Sequence, residues 1–301
     1  MKKETKGLFI VMLCAFLWAF NGNIGGWLFK TKNFTPEDLV VVRLLGAGFS
    51  ILLYNSWKKG SAALSILKVK ANYLPLAFYA IGGILLMQFG YFVAILYSNA
   101  PTSTLLEYLG TFLLLFFLSI QYKKWPERKV FLALIVSIFG VVLLVTHGNF
   151  SVLSINEKAL FWGLLSALGY ATFNVAPLKL QARYTSMDIV GPAMILGGVT
   201  LFLLVRPHTL STVTWDFYSI LALLYCIFGG TFFPFVLFME GQRLAGPSLS
   251  GIFSLSEPVF STLIAVLLYG TIFSPIDLLG MVFILGSILL LTIQGTKKEK
   301  G

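Results

Sequence analysis

The chain contains ten apolar stretches, each long enough to cross a lipid bilayer, and short polar connections separate them. A transmembrane helix needs about 20 predominantly apolar residues. Because backbone polar groups cannot stay unpaired in hydrocarbon, such stretches cross the membrane as helices. The sequence therefore predicts an all-α polytopic membrane protein. Its ten transmembrane helices are expected at approximately 7–29, 36–56, 73–97, 102–120, 128–146, 158–180, 187–205, 216–239, 247–269 and 275–294.

The composition excludes a soluble domain. Hydrophobic residues make up 57% of the chain and charged residues 11%, whereas soluble domains carry about 25% charged residues. A net charge of +10 could indicate a nucleic-acid partner, but the basic residues lie in short clusters between the apolar stretches. Such clusters are typical of cytoplasmic loops in membrane proteins. We therefore expect the lipid bilayer, and no nucleic acid, as a partner.

The distribution of lysine and arginine predicts the orientation in the membrane. With the amino terminus inside, 17 of these residues lie in the inner connections and the two termini. The outer connections contain four: Lys30, Lys32, Lys158 and Arg206. Because positive residues concentrate on the cytoplasmic side, both termini are expected in the cytoplasm.

The two halves of the chain resemble each other. Thr35 and Asp38 open the second predicted helix as Thr185 and Asp188 open the seventh, and the pair Gly82-Gly83 corresponds to Gly229-Gly230. An odd number of helices per half turns the second half upside down relative to the first, which is the inverted-repeat arrangement of many secondary transporters. The predicted domains are two inverted five-helix repeats, 1–150 and 151–301.

One apolar stretch, 247–269, carries a carboxylate followed by a proline, Glu257-Pro258. A charge at that depth costs about 2.5–3.5 kcal/mol on insertion scales. Ser254 and Ser261 lie on the same helical face as Glu257, so that face is expected to contact protein or water. Glu257 is therefore a candidate substrate-binding or proton-binding residue. The alternative is a structural kink in which a neighbouring helix satisfies the carboxylate.

Three stretches carry a resemblance to a known family: Arg43-Leu-Leu-Gly-Ala47, Ser256-Glu-Pro-Val-Phe260 and the tenth helix with Pro275 and Gly286. The whole chain resembles the EamA branch of the drug/metabolite transporter (DMT) superfamily. The resemblance implies a carrier of the bacterial inner membrane, often an exporter of amino acids, other metabolites or toxic compounds. The fourth helix departs from the family pattern, because no proline follows Leu106-Glu-Tyr-Leu-Gly110 where many relatives have one.

Further polar and aromatic residues within the apolar stretches could line a binding site. Buried amides and carboxylates in a membrane must find partners in protein or water. Glu107 could face a shared cavity with Glu257, or could instead form a structural ion pair with Arg43 at a similar depth. Pro234 and Pro258 are expected to bend their helices. The candidate substrate-binding or proton-binding residues are Trp18, Asn21, Gln88, Tyr91, Glu107, Tyr108, Tyr170, Asn174, Ser254 and Glu257.

Signals of enzymatic activity are weak. His147 and His208 lack metal-ligand spacing, and the chain has no strand–turn–helix nucleophile motif, so no metal or cofactor is predicted. The favoured function is a secondary active transporter of a small-molecule substrate that works by alternating access. The alternative is a membrane-embedded enzyme acting on lipid-linked substrates. Proton exchange, and the choice between a monomer and a homodimer, stay open at this point.

Overall fold

The computed structural model describes residues 3–121, 155–206, 211–246 and 256–298, together with isolated positions at 123, 128, 132, 135–136, 138–140, 142–143, 250 and 253–254. For helix positions 118, 121 and 288–298 only the backbone is described. This part of the chain is helical and contains no β-strand. The prediction of an all-α fold is therefore confirmed for the described residues.

The helices follow one another with short connections. In chain order they are α1 (Lys3–Lys32), α2 (Pro36–Lys59), α3 (Tyr73–Ala77), α4 (Leu86–Tyr97), α5 (Ala100–Tyr108), α6 (Gly110–Gln121), α7 (Glu157–Val175), α8 (Leu178–Gln181), α9 (Ser186–Val205), α10 (Phe217–Ile227), α11 (Phe233–Ala245), α12 (Ser256–Tyr269) and α13 (Pro275–Lys298). Two 3₁₀ segments, Gly60–Lys68 and Lys70–Asn72, connect α2 to α3.

Seven helical segments of the described chain are long and apolar enough to cross a membrane: Lys3–Lys32, Pro36–Lys68, Lys70–Tyr97, Ala100–Phe117, Glu157–Gln181, Ser186–Val205 and Phe217–Ala245. They coincide with predicted helices one to four and six to eight. The last two predicted helices contain the shorter apolar helices Ser256–Tyr269 and Pro275–Ser287. Most of the fifth predicted helix, 128–146, lies outside the described residues.

The two threonine–aspartate pairs identified in the sequence both begin helices. Thr35 precedes α2 and its Oγ1 accepts the Asp38 backbone N–H at 3.2 Å. Thr185 precedes α9 and its backbone N–H donates to the Asp188 carboxylate at 2.9 Å. Each pair satisfies an N–H group that the first helical turn leaves without an intrahelical partner. These two helix starts are confirmed as predicted.

The two glycine pairs lie in corresponding π-helical turns. Gly82-Gly83 lies in Phe78–Leu85, which joins α3 to α4, and Gly229-Gly230 lies in Phe228–Phe232, which joins α10 to α11. A π-turn widens a helix by one residue and exposes carbonyl groups that would otherwise be paired. Each half of the chain therefore contains one helix with a π-turn at the corresponding Gly-Gly pair.

The two prolines that were expected to bend their helices both follow a helix irregularity. Pro234 comes two residues after the π-turn Phe228–Phe232, within the helical segment Phe217–Ala245. Pro258 is the third residue of α12, and a turn at Ser254 precedes this helix. In the first turn of a helix, the missing proline N–H would have no intrahelical partner anyway. Among the described residues, the helix predicted over 247–269 is therefore interrupted at Ser254, and a bend at Pro234 stays a prediction.

Helices of the two halves pack against one another without a layer between them. α2 lies along α9, α4 along α7, and α1 along α11 and α12. Glycines make the α4–α7 contact close: a Cβ atom on Gly90 would lie 2.8 Å from the Trp162 carbonyl oxygen, and one on Gly169 would collide with the Met87 backbone. Small residues allow such close approach of helices within a membrane.

An ion pair joins α1 to the beginning of α10. Lys32 Nζ donates to Asp216 Oδ2 at 2.5 Å, and this contact is the main reason that the pKa of Asp216 lies below its ordinary value of 3.8. A depressed pKa adds stability at pH values above the ordinary pKa, and this stability is lost as the pH falls through the folded-state pKa.

We expect Asp216→Asn, which keeps an oxygen acceptor for the α10 N-terminus, to lower the melting temperature at pH 7. The difference from the unmodified protein should shrink at about pH 3, and an equal difference at both pH values would contradict the assignment.

Candidate functional site

A small cavity lies among α1, α4, α5, α7 and α12. Its volume is about 30 Å³, enough for a water molecule, which needs roughly 10–15 Å³, and too small for most metabolites. The cavity is therefore narrow in this conformation. Its lining residues come from five helices: Trp18, Asn21, Met87, Gln88, Tyr91, Glu107, Tyr108, Tyr170, Phe173 and Glu257.

Glu257 lies at a helix beginning inside the bundle. It is 4% exposed and belongs to the first turn of α12. Its backbone N–H bonds to the Ser254 carbonyl only three residues back, where the chain tightens before the helix starts. Tyr108 Oη donates to the Glu257 carboxylate at 2.9 Å. The positive end of the α12 dipole and one hydroxyl donor therefore stabilise negative charge on this side chain.

Glu107 lies at the opposite kind of helix end. It occupies the last turn of α5, after which a turn at Leu109 separates α5 from α6. The side chain is 8% exposed. Its carboxyl group contacts the Ser166 hydroxyl, which also lies 2.9 Å from the Met87 carbonyl oxygen. Two carboxyl groups, each next to an interruption of its helix, therefore border one cavity.

Arg43 is fully buried and does not pair with Glu107. Its guanidinium donates to Gln88 Oε1 at 3.0 Å and to Thr231 Oγ1 at 3.0 Å. It also donates to the carbonyl groups of Gly230 and Cys226, which lie in and just before the second π-turn. The ring of Phe92 lies 4.5 Å below the guanidinium carbon. The proposed structural ion pair with Glu107 is therefore not formed, and Arg43 joins α2 to the π-turn of the other half.

Aromatic rings form the walls of the cavity. Tyr108 and Tyr170 meet edge to face with their ring centroids 5.1 Å apart. Tyr91 Oη is hydrogen-bonded to Thr104 at 3.0 Å, and Gly22 leaves room for that hydroxyl. Rings with polar tips can contact the flat, apolar part of a solute while their hydroxyl groups hydrogen-bond its polar part.

Two of the candidate residues are not among those that line the cavity. Asn174 accepts a hydrogen bond from Gln242 at 3.1 Å, and Gln242 accepts one from Gln181 at 2.9 Å. Asn174 also donates to the Tyr170 carbonyl at 2.9 Å. Ser254 is buried and donates to the Ser250 carbonyl at 2.7 Å. We call the side chains of Asn174, Gln242 and Gln181 the amide chain; it joins α7 and α8 to α11.

A second, larger space lies at the end of the bundle opposite the amide chain. Its volume is about 270 Å³, and it lies where α1 and α4 end, α5 begins and α12 ends. We call this space the vestibule; its lining includes Asn23, Trp27, Lys30, Asn99 and Tyr269. Between the vestibule and the cavity, Asn23 donates to Ser261 Oγ at 3.1 Å. This hydrogen bond therefore joins α1 to α12 between the two spaces.

Eight of the ten candidate residues thus line one cavity, and their role in binding stays a prediction. Sequence reasoning did not identify Met87, Phe173, Ser166 or Gln242. Ser166 lies one turn before Tyr170, and Gln242 is an amide in an apolar segment, so both carried a weak signal. Among the described residues, no group of three or more His, Cys, Asp or Glu side chains could hold a metal ion.

Comparison with known proteins agrees with this architecture. The EamA-like transporter family model matches residues 5–146 and 157–293. An uncharacterized inner membrane transporter of Salmonella typhimurium, YicL, is 33% identical over 100% of this chain and 99% of its own length. An uncharacterized transporter of Archaeoglobus fulgidus is 23% identical over 87% of this chain and 89% of its own length.

A solved crystal structure superposes with a TM-score of 0.68 over 98% of this chain and 99% of the other, at 16% identity. At that identity the likeness concerns the fold alone. The family match spans both halves of the chain, and members of this family are membrane proteins with ten transmembrane helices. The chain therefore belongs to the EamA-like transporter family.

Proposed function

We propose that this protein is a secondary active transporter that exports small metabolites, such as amino acids, or drug-like compounds across the bacterial inner membrane. The observation that carries the proposal is the cavity with two carboxyl groups, Glu107 and Glu257, next to local irregularities of their helices inside an apolar bundle. Ionisable groups are expensive within a membrane and mark solute or ion pathways there. Transporters commonly place such sites at interrupted helices near the bilayer midplane.

The inverted repeat belongs to this proposal, and the helix contacts support it. The first helix of each half packs against the third and fourth helices of the other half: α1 contacts α11 and α12, while α7 contacts α4, α5 and α6. The second helices of both halves, α2 and α9, pack against each other. A two-fold relation between residues 1–150 and 151–301 accounts for these pairings, and it places the cavity where the halves meet.

Alternating access explains why the two ends of the bundle differ. The vestibule lies at the end that the lysine and arginine distribution places outside, and the amide chain lies at the predicted cytoplasmic end. The ion pair between Lys59 and Asp188, at 3.0 Å, joins α2 to α9 at this same end. In the proposed cycle, both termini are cytoplasmic, the present conformation is closed inside, and rocking of the halves breaks the amide chain.

Proton exchange is part of the proposal. The Ser166 hydroxyl has a single proton but contacts two oxygens, those of the Met87 carbonyl and the Glu107 carboxyl. Both contacts are hydrogen bonds when Ser166 donates to Met87 and a protonated Glu107 donates to Ser166. This arrangement supports Glu107 as a group that keeps its proton, while Glu257, which accepts from Tyr108, is the carboxylate that the transported proton and the cationic group of the solute use in turn.

The direct test is solute flux into and out of proteoliposomes that contain the purified protein. Candidate solutes would come from a thermal-shift screen of metabolites at two pH values, and protein-free vesicles serve as the control. Saturable flux that changes with an imposed pH gradient supports the proposal. Chemical turnover of a lipid-linked substrate in detergent without any vesicle flux would support the enzyme alternative, and single-channel conductance would support a channel.

The amide chain gives a prediction about the predicted cytoplasmic end. Gln242→Ala removes two side-chain hydrogen bonds between α11 and the helices α7 and α8, each worth about 1 kcal/mol. We expect the inner end to open several-fold more often. Hydrogen–deuterium exchange should then be faster in peptides covering 174–181 and 238–245. Arg243→Ala, which removes only a surface pair with Glu240, is the matched control, and equal exchange in both variants would contradict the role of the amide chain.

A further inference from the structure

The amide of Gln88 has an orientation that its neighbours determine. The guanidinium of Arg43 lies 3.0 Å from Gln88 Oε1. A guanidinium group has only donors, so the atom of Gln88 that faces it must be the carbonyl oxygen. Gln88 also lines the cavity and is 6% exposed. The part of its side chain left for the cavity is therefore the NH₂ group, which can only donate.

Among the described residues, Arg43 has no competing carboxylate partner. Its other described contacts are the hydroxyl of Thr231, two carbonyl groups and an aromatic ring. All of these are neutral, so the positive charge behind Gln88 is balanced by no adjacent ion pair within the described residues. A buried charge acts strongly at short range, because the surroundings screen it poorly. Gln88 therefore donates to the cavity with the positive charge of Arg43 directly behind its amide.

The lining of the cavity also contains acceptors. Glu257 is one of them, and Tyr108 donates to its carboxylate. The Asn21 Oδ1 atom is buried and has no hydrogen-bond partner among the described residues. Trp18 adds a second donor to the lining, a buried indole N–H without a described partner. The cavity therefore combines a donor held by a fixed cation, Gln88, with the carboxylate of Glu257.

We propose that Arg43 is a positioning residue that fixes Gln88 as the donor for an anionic oxygen of the solute, so that the site selects organic acids over the matching neutral compounds. This inference rests on the proposed function, since it assigns the chemistry of the solute that the carrier binds. Arg43 acts through Gln88 and does not touch the solute. The Glu257 carboxylate takes any cationic group that the same solute carries.

Four small aromatic probes test the acid and the amine of a solute separately. Para-aminomethylbenzoate carries both an acid and an amine, para-hydroxymethylbenzoate only the acid, benzylamine only the amine, and benzyl alcohol neither. Their dissociation constants would be measured by calorimetry with the purified full-length protein in detergent. Adding the carboxylate should strengthen binding about tenfold or more, the size expected of a hydrogen bond to a charged group. We expect this gain in both the benzyl alcohol–hydroxymethylbenzoate and the benzylamine–aminomethylbenzoate comparisons.

The decisive variant is Gln88→Glu. A glutamate at this position still accepts from Arg43, so the melting temperature should be kept, but it has no N–H to offer and repels a solute carboxylate. The gain from the carboxylate should disappear in Gln88→Glu while any gain from the amine stays. Arg43→Lys, which keeps one donor for Gln88, should retain part of the gain. Asn33→Asp, an amide-to-acid exchange in an exposed outer connection, is the control and should keep the whole gain.

Each result decides the inference. The inference is overturned if folded Gln88→Glu keeps the full increase in affinity from the carboxylate. It is also overturned if the carboxylate makes no difference to binding by the unmodified protein, or if that protein binds none of the probes. If Gln88→Glu does not fold, the test compares Arg43→Lys with Asn33→Asp. The increase in affinity from the carboxylate should then be smaller in Arg43→Lys and complete in Asn33→Asp. Vesicle flux without carboxylate preference would retain the proposed function and remove this inference. Carboxylate-selective binding without vesicle flux would retain this inference and remove the proposed transport function.

Discussion

Glu257→Gln is expected to lower solute flux in proteoliposomes by about 10- to 100-fold, the loss that corresponds to one charge-assisted hydrogen bond of a buried group. Glutamine keeps the shape and can still accept from Tyr108. It cannot carry a negative charge or bind a proton. In the proposed mechanism, the cationic group of the solute and the proton both use this carboxylate, so the remaining flux should no longer vary with pH.

The matched control is Glu157→Gln, the same exchange at an exposed position in the first turn of α7. This variant should transport as well as the unmodified protein. Melting temperatures must be compared, because a purely structural Glu257 would also lower flux by lowering the amount of folded protein. Flux and pH dependence that are unchanged in folded Glu257→Gln would remove this residue from the mechanism.

The second large effect is expected at a close backbone contact between two helices. A Cβ atom on Gly169 would collide with the backbone of Met87, where α7 crosses α4. Backbone atoms cannot rotate away as a side chain can, so the two helices must separate. We expect Gly169→Ala to cost at least about 1–3 kcal/mol of stability, the usual range for an overpacked core. A decrease in melting temperature in detergent, together with lower yield, would show it.

Gly286→Ala in α13 provides the comparison, because a Cβ atom there meets no atom of the described residues within 4 Å. The same chemical change should be neutral or slightly stabilising at that position, since alanine favours helix more than glycine does. Met87 and Gln88 both line the cavity. A shift of α4 in Gly169→Ala would therefore also disturb binding. Equal melting temperatures for the two variants would show that the α4–α7 contact is looser than described.

The sequence alone determined the features that depend on neighbouring residues. Hydropathy over about 20 residues is a local property, so the all-helical membrane fold and the seven long described spans were predictable. The helix starts at Thr35 and Thr185 were predictable for the same reason, since an N-cap contacts a group three residues away. Polar residues in apolar stretches were good candidates for the cavity, because they cannot face lipid.

Only the tertiary structure decided which polar groups meet. Arg43 bonds to a π-turn 183 or more residues away instead of to Glu107, and Asn174 joins the amide chain instead of the cavity. The start of α12 just before Glu257 also departed from the predicted continuous helix, because apolar composition does not record where a helix is interrupted. These choices depend on which helices lie next to each other. Packing between distant segments sets that arrangement, and no local pattern in the chain encodes it.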